Sequence, residues 1–121
     1  GGGFSPGIKK KKTRSPILNE AANGIGNTVG TLSMARTQVV NSATSQFFIN
    51  VANNTALDHK NTTPRGYGYA VFGKVIYGMD LIKQIRKVTT TTVGGYSDVP
   101  VYDVIVHKAS MLRSKSKASK N

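Results

Sequence analysis

Two short apolar segments flanking a small polar loop constrain this chain more than anything else in it: Thr31–Arg36 and Gln46–Val51, joined by Thr37–Ser45. Both read as strands. Side chains alternate faces along a strand, so Leu32 and Met34 share one side of the first. In the second, Gln46 shares a face with Phe48, while Phe47 and Ile49 share the other. One face is then available to a core. The opposite face presents an amide beside an aromatic ring, which suits a ligand offering one apolar group and one backbone hydrogen bond. Phe47, Phe72 and Met34 are read as core.

The remaining segments fit around these two. Residues 1–13 are rich in Gly and Lys and read as a flexible loop. Ile17-Leu18 is a short apolar step, read as an edge strand. Asn23-Gly24 and Asn27 signal turns. Ala52–Gly68 is long, polar and irregular, as functional loops often are. Tyr69–Ile76 reads as a strand. The period then changes: Met79, Ile82 and Ile85 recur at helical spacing, with Asp80 in the first turn and Arg86 and Lys87 in the last, complementing the helix dipole. The β-branched run Thr89–Thr92 ends that helix, and Gly94-Gly95 turns the chain. Val104, Ile105 and Val106 alternate within a last strand expected over Val101–Lys108. Many short strands with one helix argue for a mainly β barrel or curled sheet.

At 121 residues the chain has room for one domain. It has no cysteine, which excludes disulfide and thiolate chemistry within it. No apolar run reaches the length of a membrane span, and no secretory leader is visible. Its net charge of +12 comes from 17 Lys and Arg against five acids. The excess gathers at the ends, in Lys9–Lys12 with Arg14 and again from Lys108 through Lys120. Such runs read first as a solvated loop and a disordered tail, and second as an attachment point for nucleic acid. No aromatic residue is interleaved with the lysines to stack bases. His59 and His107 stand alone, without partners at metal-ligand spacing. Gly1-Gly-Gly3 lacks the context of a phosphate loop. Ser42 and Ser45 have no paired base, so a hydrolase triad is unsupported.

Met34-Ala-Arg-Thr37, Ser42-Ala-Thr-Ser-Gln-Phe-Phe-Ile-Asn-Val51, Leu57-Asp-His59, Gly68-Tyr-Ala-Val-Phe-Gly-Lys-Val75 and Gly78-Met-Asp80 follow one another at a characteristic spacing. With Gly1-Gly-Gly-Phe4 and Asn19-Glu-Ala21 they resemble the bacterial branch of the cyclophilin-type peptidyl-prolyl cis-trans isomerases, from Gly1 to about Met111. The resemblance implies a cyclophilin-like β-barrel, here a C-terminal two-thirds without the leading strands and first helix, and with one α-helix in its C-terminal half. It implies a domain over residues 1–112 and a basic disordered tail over 113–121. It implies rotation of X-Pro bonds in unfolded or exposed chains, assisting protein folding.

Carried onto this chain, the resemblance makes Gln46 a hydrogen-bonding partner of substrate backbone, Phe48 the floor of a proline pocket and Leu57 its wall. Ala35 and Arg36 pair with substrate backbone. Tyr69 stands where many members have His, and Ala56 where many eukaryotic members have Trp. The catalytic arginine of the family sits in a Phe-His-Arg segment that this sequence does not contain, so no catalytic residue is assigned in it. The alternative is a module that binds proline-containing peptides without significant catalysis. The implied partners are proline-containing polypeptides, with no cofactor and no metal. The bacterial branch implies the bacterial cytoplasm or periplasm.

Overall fold

The computed structural model describes residues 1–114. Its architecture is mainly antiparallel β, in three small sheets with one helix. The first sheet is a hairpin of β1 (Phe4–Ser5) and β2 (Lys9–Lys10), with Phe4 opposite Lys10. The lysine-rich start is therefore ordered backbone and not the loop expected from its composition. The Lys11 N–H donates to the Gly3 carbonyl at 2.9 Å and continues the pairing. Gly1 anchors the start of the hairpin to a strand 46 residues away: its nitrogen donates to the Phe47 carbonyl at 2.7 Å and its carbonyl accepts from the Phe47 N–H at 3.0 Å.

Ile17 makes a single bridge to Ala43 in place of an edge strand. The central sheet places β3 (Thr31–Met34) between β4 (Phe47–Ile49) and β5 (Val71–Lys74), all antiparallel. Ser33 lies opposite Phe48 on one side and Val71 on the other, with an irregularity between Leu32 and Ser33. The two strands expected around the polar loop are thus paired, in a register that fixes what each face carries.

That register makes the centre of the sheet polar. Ser33 is 0% exposed and Asn27 and Asn50 are 1% exposed, while among the described residues the buried apolar side chains are only Ala21, Ala43 and Val71. Alternation along β3 turns Thr31 and Ser33 to the buried side and leaves Leu32 and Met34 half-buried. Phe47 is half-buried as well, and Phe72 is 56% exposed. The three residues read as core therefore do not form it. Apolar character sets which residues gain by burial, but the register decides which ones achieve it.

The helix α1 (Met79–Arg86) starts after Gly78, whose φ of 89° is left-handed and suits glycine. Met79, Ile82 and Ile85 are half-buried, and the intervening positions are exposed. After it, β6 (Thr90–Val93) and β7 (Tyr96–Pro100) form a hairpin in which Val93 opposes Tyr96. Gly94 and Gly95, with φ of 54° and 82°, make the two-residue turn. The helix ends before the Thr-rich run, as expected, and most of that run is a strand. Phe4 and Tyr96 pack as a T-shaped pair with ring centroids 5.3 Å apart, tying the first hairpin to the last.

Residues 101–108 form no strand and are exposed, contrary to expectation. Alternation supplies a two-faced segment, but a strand also needs a partner, and none of the three sheets takes this segment as a strand. Of the expected tail, Arg113 and Ser114 are exposed, and residues 115–121 lie outside the described residues. Among the described residues no helix is long and apolar enough to cross a membrane.

Candidate functional site

The site is assembled from the end of β3, the start of β4 and the loop leading into β5. Ala35 donates its N–H to the Gln46 carbonyl at 2.9 Å, which extends the β3–β4 ladder one step and sets Gln46 beside Ala35 and Arg36. Among the described residues the Gln46 side-chain amide takes part in no hydrogen bond, and neither does the Arg36 backbone N–H. The Gln46 side-chain amide and the Arg36 backbone N–H, both on half-buried residues and both uncommitted, can receive an extended peptide. Gly3 is buried against Gln46: a Cβ there would collide with the Gln46 side chain.

Beyond Gln46 lies an aromatic surface. Phe48 and Tyr69 form a T-shaped pair with centroids 5.7 Å apart. The Arg36 guanidinium lies 5.0 Å from the Tyr69 ring centre, within cation–π range. Tyr69 donates its backbone N–H to the Leu57 carbonyl at 2.9 Å, which brings Leu57 alongside. All six residues expected from the sequence therefore stand in one connected group: Ala35 touches Gln46, Arg36 touches Tyr69, and Tyr69 touches Phe48 and Leu57. Phe48, Leu57 and Tyr69 are half-buried, so they offer a shallow apolar surface.

Arg36 also organises the loop. Its Nε donates to the Gly68 carbonyl at 2.9 Å, Nη2 to Pro64 at 2.7 Å and Nη1 to Thr37 at 2.9 Å. Gly68 must be glycine. Its φ is 80°, and a Cβ would lie 2.7 Å from the Leu57 carbonyl oxygen and from the backbone of Asp58 and His59. His59 places Nδ1 2.8 Å from the Tyr67 carbonyl and packs edge-on to the Tyr67 ring, closing the same loop from the other side.

A buried polar network holds this loop to the sheet. Asn27 Nδ2 donates to the Leu57 carbonyl at 3.2 Å, to the Tyr69 carbonyl at 3.3 Å and to Asp58 Oδ1 at 3.0 Å. Its Oδ1 accepts from Ser33 Oγ at 2.6 Å and from Asn50 Nδ2 at 3.2 Å. One side chain thus links β3, the end of β4 and both Leu57 and Tyr69. The Asn27 backbone N–H, at 2.7 Å, and then its side-chain N–H hold the Asp58 carboxyl below the usual carboxylate range, with the Lys60 charge adding to them and desolvation opposing.

Sequence reading took Asn27 for a turn residue and passed over Asn50 and Ser33. The one local signal was Asn50, a polar residue between Ile49 and Val51. The carbonyls that Asn27 Nδ2 bonds are 30 and 42 residues away, and only the fold reveals them.

Two cavities border the group. One, of about 430 Å³, lies between the Ile17–Asn23 segment and Met34, Val71 and Phe72. The other, of about 290 Å³, lies between the β2 end, with Lys10 and Lys11, and Gln46. Arg36 lines both. Among the described residues no three of His, Cys, Asp and Glu are grouped as a metal site would require.

A family model described as "Cyclophilin type peptidyl-prolyl cis-trans isomerase/CLD" matches residues 1–111. The chain is 50% identical over 111 residues to peptidyl-prolyl cis-trans isomerase B of Escherichia coli, covering 92% of this chain and 68% of that protein. It is 49% identical over 112 residues to peptidyl-prolyl cis-trans isomerase cyp18 of Streptomyces antibioticus, covering 93% of this chain and 68% of that protein. With a peptidyl-prolyl cis-trans isomerase of Acinetobacter baylyi it shares 56% identity over 100 residues, 83% of this chain and 52% of that protein. The match runs through β1, the β3–β4 pair, the loop held by Asn27 and the helix, and on it the chain belongs to the cyclophilin-type peptidyl-prolyl cis-trans isomerases.

Proposed function

We propose that this chain performs its family's isomerisation on an X-Pro segment lying along Ala35–Arg36, with the proline ring on Phe48 and Leu57 and the peptide backbone held by the Gln46 amide. The observation that carries this reading is the uncommitted Gln46 side-chain amide near the uncommitted Arg36 backbone N–H, one side-chain step along the strand from the Phe48–Tyr69 pair.

The chemistry requires no covalent step. A planar X-Pro amide is held by resonance, with a rotation barrier of about 20 kcal/mol. Resonance separates charge between nitrogen and oxygen, and the twisted amide loses that separation. An apolar surface under the proline therefore disfavours the planar ground state more than the twisted form. Gln46 holds one flank of the peptide while the other turns. Tyr69, fixed by Phe48, Arg36 and Leu57, limits the positions the ring can take. The substrates on this reading are exposed or unfolded chains, and the setting is the bacterial cytoplasm or periplasm.

The test is a protease-coupled assay of an Ala-Pro peptide with the 121-residue chain, alongside a binding measurement with the same peptide. Acceleration above the uncatalysed rate, lost in Phe48→Ala, is the expected result. Binding without acceleration would assign the chain the peptide-binding role alone. Neither binding nor acceleration would remove the surface from consideration.

A further inference from the structure

Ile76 and Tyr77 lie in the connection from β5 to α1. They are 94% and 95% exposed, more than any other large apolar side chain among the described residues. Neither lines either cavity. We infer that this apolar tip, with the cations around it, is a docking point for an anionic lipid bilayer. Ile76 and Tyr77 enter the headgroup region, and the lysines beside them meet the lipid phosphates.

The tip is held in its exposed position from both ends. Before it, the Val75 N–H donates to the Gly30 carbonyl at 2.8 Å. After it, the Gly78 carbonyl accepts from the Leu81 N–H at 3.1 Å and the Ile82 N–H at 3.3 Å. Tyr77 immediately precedes the helix cap, Gly78. From that position an apolar side chain can fold back onto the fourth residue of the helix and fix the entry of the chain. The fourth residue is Ile82, and Tyr77 leaves its own ring in water instead of covering it. Leu81, in the first turn of the helix, is exposed as well. Helix entry therefore does not account for the apolar character of the tip.

Two projecting apolar side chains with no cavity beside them do not enclose a ligand; they enter another phase or another surface. Charge indicates which. From β5 to the end of α1 the exposed cations Lys74, Lys83, Arg86 and Lys87 stand against one acid, Asp80. The whole chain carries +12. A charge of that sign and size draws a protein to anionic surfaces. Nucleic acid offers the charge but no apolar phase for Ile76, and leaves Tyr77 as the only stacking platform in the tip. A bilayer interface accepts both residues, tyrosine at the level of the headgroups and isoleucine at the acyl boundary. Apolar insertion by so few residues is weak alone, and so is surface charge in salt, so binding requires the two together.

The experiment is co-sedimentation of the 121-residue chain with vesicles of phosphatidylcholine alone and of an equimolar mixture with phosphatidylglycerol. The expected result is binding to the mixed vesicles about 10-fold or more tighter than to the neutral ones, weakening with added salt. Ile76→Ser with Tyr77→Ser lowers that affinity about 10-fold or more, because two apolar side chains are lost from the interface. Met111→Ser with Leu112→Ser, a pair about as exposed, leaves it unchanged. All four positions are at the surface, so none of these changes threatens the fold. The chain has no tryptophan, so Tyr77→Trp introduces a single reporter. Its emission should shift to the blue on mixed vesicles and be quenched by brominated lipid. No binding to the mixed vesicles, or an unshifted emission from the bound Tyr77→Trp variant, overturns the inference. So does equal affinity of the tip variant and the unaltered chain, which would trace the binding to net charge. Retention on single-stranded RNA without vesicle binding would assign the charge to nucleic acid and overturn it too.

Discussion

Phe48 and Tyr69 meet as a T-shaped pair with centroids 5.7 Å apart and planes at 76°. The contact joins β4 to the loop before β5, and Arg36 lies 5.0 Å from the same tyrosine ring. A surface built on a phenylalanine from a strand and a tyrosine from a loop stays in place only while the loop is pinned.

Phe48→Ala is expected to lower kcat/KM on an Ala-Pro peptide about 10-fold or more, since fully burying a phenylalanine side chain is worth about 1.5–3 kcal/mol of transfer free energy and the substrate ring would lose that contact. Phe72→Ala, at a position 56% exposed and outside the connected group, should have the smaller effect. Steady-state kinetics on the two variants gives the ranking. The reverse order would move the proline surface to the larger cavity.

Asn27→Ala should destabilise the fold by about 2–4 kcal/mol, because it strands the partners of a side chain that is 1% exposed. Asn27→Asp should be worse at neutral pH, since it sets a second carboxylate against Asp58, and should recover in part as the pH falls and one of the pair takes a proton. Urea unfolding of both variants across pH tests this. Equal losses from Ala and Asp at every pH would show that Asn27 does not face Asp58 closely in solution.

Asp58 supplies a pH dependence of its own. Its folded-state value is held below the ordinary one, so the folded chain binds fewer protons than the unfolded chain. The stabilisation is present above the unfolded carboxylate value of about 3.9 and is lost as the pH falls through the folded value. Asp58→Asn should flatten that acid limb of the stability profile. An unchanged acid limb in the variant would assign it to other carboxylates.

Gly68→Ala should cost about 3 kcal/mol or more, combining left-handed backbone strain with a clash against the Leu57–His59 backbone. Because the displaced loop carries Leu57 and Tyr69, KM for a proline peptide should rise along with the loss of stability. Gly7→Ala is the control: its φ is similar at 78°, but a Cβ there meets nothing within 4 Å. Equal costs for the two variants would reduce the effect to backbone strain alone.

Periodicity carried the segments that repeat within a few residues. The helix over Met79–Arg86, the strands around the Thr37–Ser45 loop and the loop character of Ala52–Gly68 were all legible, because a half-buried face writes a local pattern. The six candidate residues were singled out through ordered motifs, and the fold sets them in one connected group. Tertiary structure decided what depends on partners distant in sequence. Gly1 and Phe47 anchor the first hairpin to β4, while the alternating Val104–Val106 run found no strand to pair with. Register put Ser33 at the buried centre and left Phe72 at the surface. Asn27 became the post between sheet and loop only because partners from three separate segments converge on it. Hydrogen bonds are satisfied by whichever donor and acceptor the fold brings within 3 Å or so, and a linear pattern does not encode that proximity.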